Sequence, residues 1–234
     1  MAKIAKIAQI AGTAAMPKLR SLTETEFSRN LEKFWPERLP PEVLQRLFMH
    51  YEELRRWAGT IALIGPGAVG ELFERHYAES LAALPWLPPG PGRLLDLGSG
   101  TGFPGWILAA ARADLEVTLV EARERKWAFL ATAARRARLS CRCLNARVSA
   151  RPLSDLPEQV DRIHVVTVRA LRLEAKTWLG LLPRLEPGAQ VLLWSGEVAQ
   201  PPPSPFVAGR SLALSGSRRF LREYRLPTGL PSTA

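Results

Sequence analysis

The sequence predicts an α/β fold with a mostly parallel sheet, a helical extension before the sheet and an antiparallel edge after it. Between residues 93 and 194, short apolar segments alternate with segments of helical period, which is the pattern of parallel strands joined by helices. A glycine-rich turn at 98–105 directly follows the first of these strands. Two further apolar segments follow the proline-rich loop at 201–205, and strands this close in sequence suit an antiparallel edge.

Two helices are predicted before the sheet. The first begins at the proline pair 40–41, since proline is favoured in the first turn of a helix. Its apolar residues recur at helical spacing: Val43, Leu44, Leu47, Phe48, Tyr51, Leu54 and Trp57. The second covers 71–84 with an inward face of Leu72, Phe73, Tyr77 and Leu81. The segment PWLPPGP at 85–91 cannot be helical and is interpreted as a linker.

The remaining elements alternate between strand and helix in the order that the fold class requires. Strands are predicted at 93–97, 117–120, 141–146, 163–168, 190–194, 211–214 and 220–226. Helices are predicted at 106–113, 125–139 and 173–185. We expect the earlier strands to pair in parallel and the last two to form the antiparallel edge.

The main chemical signal is the segment LDLGSGTGFPG, which begins in the first strand. Glycines at alternate positions after a strand let the backbone turn sharply and pass close to a bound cofactor. Gly100, Gly102 and Gly105 match the dinucleotide fingerprint by spacing. In a second register, Gly98 is the first glycine and Asp96 precedes it on the strand, which fits the loop that methyltransferases use for S-adenosylmethionine. Because the strand continues past Asp96, the second register is favoured.

Glu121 supports a cofactor that contains a nucleoside. It closes the second strand, 23 residues after Gly98, where a carboxylate can accept hydrogen bonds from both hydroxyls of a ribose. An enzyme with a nicotinamide cofactor would have an acid there too, so this residue does not separate the two cofactors. The alternative interpretation is a surface ion pair with Arg123 or Arg125.

The excess positive charge is confined to two segments. The chain of 234 residues has 32 basic and 22 acidic residues, a net charge of +10, and only six of the basic residues are lysine. Segment 121–147 carries +6 and segment 210–225 carries +4. Arginine donates two hydrogen bonds at once to a phosphate or a base edge, so this clustering favours contact with a nucleic acid. An arginine-rich composition that fills solvated helix faces is the alternative.

The composition excludes several other classes of protein. Hydrophobic residues make up 47% and charged residues 23% of the chain, which excludes a disordered or collagen-like protein. No run of about 18 apolar residues occurs, as a membrane-spanning helix would need. Cys141 and Cys143 are too few for a disulfide framework and lack the partners of a zinc site. We expect no bound metal, no membrane association and a monomeric cytoplasmic protein.

Four motifs in order resemble the family of guanine-N7 methyltransferases of small-subunit (16S) ribosomal RNA, also called glucose-inhibited division protein B. They are GSGTGFPG at 98–105, EARERKWAFL at 121–130, NARV at 145–148 and VRA at 168–170. Upstream, RHYAESL at 75–81 is similar to the family's Arg-His-x-x-Asp-Ser-Leu. The resemblance covers about residues 47–196. It implies the Rossmann-like fold of class I methyltransferases that depend on S-adenosylmethionine.

The resemblance also implies which residues bind S-adenosylmethionine: Gly98, Phe103, Glu121, Ala122, Arg123, Val148, Ser149 and Arg169. The glycine and the phenylalanine would contact the amino-acid and sugar parts, the residues at 121–123 the ribose, and those at 148–149 the adenine. Arg169 would face the site from the end of the fourth strand, in agreement with the rule that strand carboxyl ends line the ligand crevice. Its alternative role is a structural ion pair with Asp96 or Glu121.

The domain organisation follows from these assignments. We expect a disordered tail at 1–20 and a helical extension at 21–88. The methyltransferase domain is predicted at 89–234, with the cofactor core at 92–196 and edge strands at 206–228.

The expected reaction needs no general base. Guanine N7 has an exposed lone pair and no proton, so it can attack the sulfonium methyl group directly, and catalysis consists of in-line placement and exclusion of water. We therefore assign no catalytic side chain. The expected partner is 16S ribosomal RNA, either naked or in the small ribosomal subunit.

Two alternative functions are considered beside this one. The first is an oxidoreductase with a nicotinamide cofactor. The second is an RNA-binding protein that keeps the methyltransferase fold with weak or lost activity, which is favoured by departures from the family pattern at Ser149, His164 and Ser195. His164 itself is interpreted as a histidine on a strand face and not as a proton shuttle.

Overall fold

The computed structural model describes residues 19–58, 61, 63, 65, 69–148, 156–214 and 218–228. The tail expected at 1–20 therefore lies almost wholly outside the described residues. Among the described helices, none is both long enough and apolar enough to cross a membrane.

A single sheet forms the centre of the described structure. Its strands are β1 Gly92–Leu97, β2 Leu115–Glu121, β3 Cys141–Asn145, β4 Ile163–Arg169, β5 Leu185–Gly196, β6 Val207–Ala213 and β7 Arg219–Arg225. The order across the sheet is β3-β2-β1-β4-β5-β7-β6. Strands β1 to β5 pair in parallel, and β7 pairs antiparallel with both β5 and β6. The predicted fold class, with its antiparallel C-terminal edge, is confirmed.

Helices precede the sheet and connect its strands. They are α1 Glu24–Glu32, α2 Pro41–Trp57, α3 Glu79–Leu81, α4 Gly105–Ala111, α5 Glu124–Arg136 and α6 Ala175–Leu181. A π-helix at Leu72–Ala78 runs directly into α3, and short 3₁₀ turns occupy Leu84–Trp86 and Leu182–Arg184. The 3₁₀ turn at 84–86 and the turn after it replace part of the linker predicted at 85–91.

Several elements differ from the sequence prediction; β6 begins at Val207 instead of 211, and α6 ends at Leu181 instead of 185. Helix α1 was not predicted, although Thr23 caps it: the Thr23 hydroxyl accepts the Glu26 amide at 3.2 Å, and the Glu26 carboxylate accepts the Thr23 amide at 2.8 Å. This reciprocal capping box has a sequence signature. The single helix predicted at 71–84 is instead a π-helix at Leu72–Ala78, which continues into α3 and is followed by a 3₁₀ turn that begins at Leu84. Strand β5 begins before the predicted residue 190, since Gly188 with a φ of +81° carries the chain through a bend instead of ending the strand.

The sheet has a hydrophobic core on each face. Alternate residues of a strand point to opposite faces, and Leu94 belongs to one core while Leu95 belongs to the other. The first core also contains residues of α1, α2, the π-helix, α4 and α5, so the helical extension packs on the sheet. Phe27 lies at its centre, with its ring centroid 5.3 Å from that of Tyr77. The extension thereby brings the π-helix to the carboxyl end of β4. The division at residue 88 stays a prediction.

Candidate active site

The carboxyl ends of β1 and β4 form a topological switch point, since the chain continues to opposite sides of the sheet from here. The two strands end together, with Leu97 paired to Val168. Ligands of open α/β sheets bind outside the carboxyl ends of strands at such a point. A cavity of about 480 Å³ lies there, which is a usual size for a small-molecule site. Another cavity, of about 520 Å³, is lined by residues such as Arg93 at the amino end of β1 and is therefore not the candidate.

This cavity, the switch-point cavity, collects the residues that the sequence predicts as cofactor ligands. Its lining includes Gly98, Phe103, Glu121, Ala122, Arg123, Val148 and Arg169. The eighth, Ser149, lies outside the described residues. The lining also includes His76, Lys126 and Arg147, which the sequence analysis did not single out as ligands.

The glycine loop turns sharply at the mouth of β1. The amides of Gly98 and Ser99 both donate to the Val120 carbonyl, at 2.9 and 3.0 Å. Gly98 and Gly100 have φ values of +72° and +58°, which L side chains rarely adopt. A Cβ on Gly98 would lie 2.9 Å from Leu171 Cδ2, so this glycine makes room for protein atoms. A Cβ on Gly100 would meet nothing nearer than a carbonyl oxygen at 3.8 Å, so open space reaches the backbone there.

Glu121 joins two loops of the site through its carboxylate. The side chain is buried; Oε2 accepts the Gly100 amide at 2.9 Å and Oε1 accepts the Arg123 amide at 2.7 Å. These backbone bonds replace the surface ion pair with Arg123 or Arg125 that was the alternative. A carboxylate has about four acceptor positions, so capacity remains for ligand hydroxyls at the cavity.

Asp96 supports the glycine loop from the strand that precedes it. It is fully buried at the end of β1, and its Oδ1 accepts the Thr167 hydroxyl at 2.6 Å. Burial raises the pKa of Asp96 to about 6, with a further increase from Glu121, although the bonds from Thr167 and Ser99 oppose this. Gly105 packs against this carboxyl, since a Cβ there would lie 2.4 Å from Asp96 Cβ. Gly105 thus serves the packing of α4, which agrees with the register that begins at Gly98.

Arg169 lines the cavity as predicted and also forms an ion pair, but with neither of the acids named in its alternative role. Its Nη2 donates to Glu79 Oε2 at 2.8 Å and also to the Arg75 carbonyl, whereas Asp96 and Glu121 were the expected acids. Burial lowers the pKa of Arg169 to about 10, and Glu79 opposes the change, so the guanidinium is protonated at neutral pH. Within the described part of the chain, its buried Nη1 has no hydrogen-bond partner.

His50 fastens the helical extension to the glycine loop, a role that the sequence did not reveal. The ring is fully buried in α2, with Nε2 2.8 Å from the Thr101 carbonyl and Nδ1 2.9 Å from the Tyr77 hydroxyl. Burial lowers the pKa of His50 to about 3, and the bond to Thr101 opposes this only partly. A carbonyl only accepts, so the neutral ring carries its proton on Nε2 and accepts from Tyr77 at Nδ1.

His164 lies away from the switch-point cavity. It is on β4 near the amino end of the strand, where its Nδ1 accepts the Arg93 amide at 3.2 Å. This is the strand-face position that the sequence analysis favoured over a proton shuttle.

The two basic segments differ in how their charge is used. In segment 210–225, Arg210 and Arg225 pair with the buried Glu223 at 2.8 and 2.7 Å, and Arg219 pairs with Glu79 at 2.6 Å. Although burial opposes it, the hydrogen bonds from Arg210, Gln190 and Arg225 lower the pKa of Glu223 to about 2. Much of the +4 charge therefore holds the antiparallel edge together instead of facing a partner.

Segment 121–147 instead presents its arginines to solvent. Arg136 is exposed as well, but it forms an ion pair, with its Nε 2.8 Å from Glu53 Oε1. The exposed arginines that form no ion pair with another described residue are Arg123, Arg125, Arg135, Arg138, Arg142 and Arg147. Arg123 and Arg147 also line the switch-point cavity, whereas Arg142 lines the cavity at the amino end of the sheet. Only the arginines at the two ends of segment 121–147 therefore lie beside the site.

The sheet order, the glycine loop and the acid at the end of β2 together define a class I methyltransferase fold. A solved structure with this fold is a SAM-dependent methyltransferase from Aquifex aeolicus, with a TM-score of 0.53 and 14% identity over 70% of this chain and 99% of that one. At this identity the likeness concerns the fold alone.

Sequence comparison identifies the family. The model described as rRNA small subunit methyltransferase G matches residues 43–201, and the chain belongs to that family. Ribosomal RNA small subunit methyltransferase G of Paramagnetospirillum magneticum is 37% identical over 161 residues, which are 68% of this chain and 74% of that protein. The protein of the same name from Myxococcus xanthus is 37% identical over 186 residues, 79% of this chain and 81% of its own. Membership of a methyltransferase family decides against the nicotinamide-dependent alternative.

Proposed function

We propose that this protein transfers a methyl group from S-adenosylmethionine to N7 of a guanine in 16S ribosomal RNA. The observation that carries the proposal is the switch-point cavity, around which the fold gathers the residues matching the family's motifs. We further propose that the protein acts as a monomer in the cytoplasm and takes the RNA either naked or within the small ribosomal subunit.

The cavity has the chemical groups that the cofactor requires. Glu121 is a buried acceptor with capacity for both ribose hydroxyls, and the half-buried Val148 offers an apolar contact for adenine. At Gly100, open space reaches the backbone, as needed where a ligand passes close to the chain. We propose that Gly98, Phe103, Ala122, Arg123, Ser149 and Arg169 complete the cofactor site.

When bound, S-adenosylmethionine supplies an electrophilic methyl group, so the protein has only to place the acceptor and exclude water. The chain's own residues are consistent with this requirement. His76, the histidine in the cavity, has a pKa lowered to about 3 by burial and by neighbouring arginines, which is far from the value of an efficient base at neutral pH. Guanine N7 needs no base, because it carries no proton. His50 and Glu121 hold the glycine loop rigidly, and a rigid loop orients the reactants.

The basic surface next to the cavity suits RNA. A base in folded RNA must leave its stack to enter such a pocket, and contacts to the flanking phosphates can hold the strand while it does so. Arg123 and Arg147, which are exposed and line the cavity, with Arg125 in the first turn of α5, provide those contacts beside the site. Binding through phosphates releases counterions, so affinity should fall steeply with salt. An affinity for an rRNA fragment that barely changes from low to moderate salt would contradict this part of the proposal.

The decisive experiment is methyl transfer to rRNA from cells that lack the gene. Mass spectrometry of the product should locate one new 7-methylguanosine, and rRNA from the deletion strain should lack it. Glu121→Gln should bind S-adenosylhomocysteine at least about tenfold more weakly by calorimetry. Glu116→Gln is the matched control on the same strand, since Glu116 pairs with Arg93 at the exposed amino end.

Two outcomes would contradict the proposal in different ways. If the deletion strain retains every 7-methylguanosine, the assigned reaction is wrong. If the protein binds S-adenosylhomocysteine and rRNA but transfers no methyl group to naked RNA or to unmodified particles, the alternative of an RNA-binding protein with lost activity is correct.

A further inference from the structure

The π-helix contributes a histidine to the switch-point cavity that the proposed methyl transfer leaves unused. The His76 ring lies against Phe103, with ring centroids 4.9 Å apart and an interplanar angle of 39°. Both of its ring nitrogens are buried and have no hydrogen-bond partner in the described structure. Buried polar atoms of proteins are nearly always paired. Two unpaired nitrogens on a residue that lines a cavity therefore indicate a partner from outside the chain.

The charge state of His76 suits a ligand that becomes cationic. Burial is the largest cause that lowers the pKa of His76, and Arg169, Arg75 and Arg219 lower it further, to about 3. The ring is therefore neutral at neutral pH, with one nitrogen donating and the other accepting. Methylation at N7 moves the positive charge of the sulfonium onto the guanine ring. A neutral imidazole adds no further positive charge beside that ring to the one that Arg169 already carries.

A second unpaired donor lies in the same cavity. Arg169 Nη1 is buried without a partner among the described residues, while Nη2 is fixed by Glu79. Next to N7, guanine presents the O6 acceptor, whereas adenine presents an amino donor at the same place. A guanidinium only donates. Donors that face O6 would therefore select guanine over adenine, and O6 is next to the atom that is methylated.

We propose that His76 positions the target guanine by donating its ring N–H to O6, with Arg169 Nη1 as a second donor to the same oxygen. The paired rings of His76 and Phe103 offer the apolar surface that an unstacked base needs. This inference rests on the proposed function and adds to it the residues that recognise the base. His76 is a positioning and specificity residue and takes no proton.

The protein side of the test uses three variants. His76→Phe keeps an aromatic ring on Phe103 and removes both nitrogens, and should lower kcat/KM for unmodified rRNA by about 10- to 100-fold. His76→Gln restores a donor and should recover part of that loss. His164→Phe makes the same substitution outside the cavity and should leave kcat/KM within about twofold. In all three, calorimetric affinity for S-adenosylhomocysteine should stay within about twofold, which separates base positioning from a structural defect.

The RNA side of the test removes the proposed acceptor. The target guanine, once located by mass spectrometry, is replaced by 2-aminopurine, which lacks O6, or by inosine, which retains it. Wild-type enzyme should lose about 10- to 100-fold on 2-aminopurine RNA and little on inosine RNA. His76→Phe should lose clearly less than wild type on 2-aminopurine RNA, because the interaction is already gone.

Three results would overturn the inference. They are a wild-type kcat/KM in His76→Phe, an equal loss of both enzymes on 2-aminopurine RNA, or a loss of S-adenosylhomocysteine affinity as large as the loss of turnover. Each of these leaves the proposed function intact as long as wild-type enzyme methylates guanine RNA. Failure of wild-type enzyme on that RNA would instead overturn the proposed function and this inference with it.

Discussion

Removal of the carboxylate of Glu79 should have the largest structural effect of the changes considered. It is 4% exposed, and its two oxygens pair with Arg169 at 2.8 Å and Arg219 at 2.6 Å. These guanidinium side chains are only 13% and 24% exposed. In Glu79→Gln two poorly hydrated cations would lose their shared counterion, and the new amide NH₂ would face a guanidinium donor.

The expected cost follows from this burial. Breaking a buried ion pair by removing one partner costs about 3–5 kcal/mol, which is a large part of a total stability of about 5–15 kcal/mol. With a urea m value of about 3 kcal/mol per M, the unfolding midpoint should fall by roughly 1–1.7 M. Adding Arg219→Met removes one of the uncompensated cations, so the double variant should be more stable than the sum of the single effects predicts.

The assay is urea unfolding followed by tryptophan fluorescence and circular dichroism. Glu197→Gln is the matched control, because its pair with Arg218 is exposed, with side chains 57% and 84% accessible at 3.3 Å. Such a pair contributes about 0–1 kcal/mol, so that midpoint should hardly move. A shift of less than about 0.3 M for Glu79→Gln, or a shift no larger than that of the control, would refute the reasoning.

Three further predictions concern the loop and its supports. Asp96→Asn should remove a pH dependence of the free energy of unfolding. Because the pKa of Asp96 in the folded protein is raised to about 6 from 3.8, the wild-type protein should lose up to about 3 kcal/mol of stability as the pH rises from 4 through 6. Urea unfolding at several pH values should show this loss in the wild type and not in the variant. His50→Phe leaves the Thr101 carbonyl and the Tyr77 hydroxyl unpaired, so the free energy of unfolding should fall by about 2–4 kcal/mol. Unchanged stability would contradict the role of His50 in fastening the helical extension to the glycine loop. Gly105→Ala places a methyl group 2.4 Å from Asp96 Cβ and should lower the thermal midpoint by several degrees, whereas an unaffected midpoint would show that α4 can shift.

The sequence was sufficient for the sheet and for the convergence of the described residues that are predicted to bind the cofactor. Alternation of apolar strands with helical segments predicts parallel pairing, and the carboxyl ends of parallel strands necessarily meet at one edge. Residues at the carboxyl ends of β1, β2 and β4, such as Gly98, Glu121 and Arg169, therefore had to converge. No knowledge of side-chain packing was needed for this step.

The contacts between the helical extension and the sheet could not be predicted in the same way. Helical periodicity shows which face of α2 is apolar, but it does not show what that face covers. His50 occupies that helix as a buried polar residue, and only the three-dimensional structure reveals its bonds to Thr101 and Tyr77. Glu79 is similar: the sequence offers Asp96 and Glu121 as nearer acids for Arg169, and the true partner is 90 residues away. Long-range pairs depend on how elements pack, which period and spacing do not specify.

The packing of the extension on the sheet fixes the two walls of the switch-point cavity, in which we propose that both reactants bind. The loops after β1 and β2 are held by the sheet itself, through hydrogen bonds from backbone amides of the glycine loop to the Val120 carbonyl and the Glu121 carboxylate. The wall that carries His76 is held from the other side, by the buried aromatic core and by the Glu79 pair with β4. A cofactor and an acceptor must be placed in line, so each wall has to be rigid with respect to the other. Glu79 ties the wall that carries His76 to the sheet through Arg169 on β4 and Arg219 on β7. If the proposed function is correct, Glu79→Gln should lower turnover more than it lowers the calorimetric affinity for S-adenosylhomocysteine.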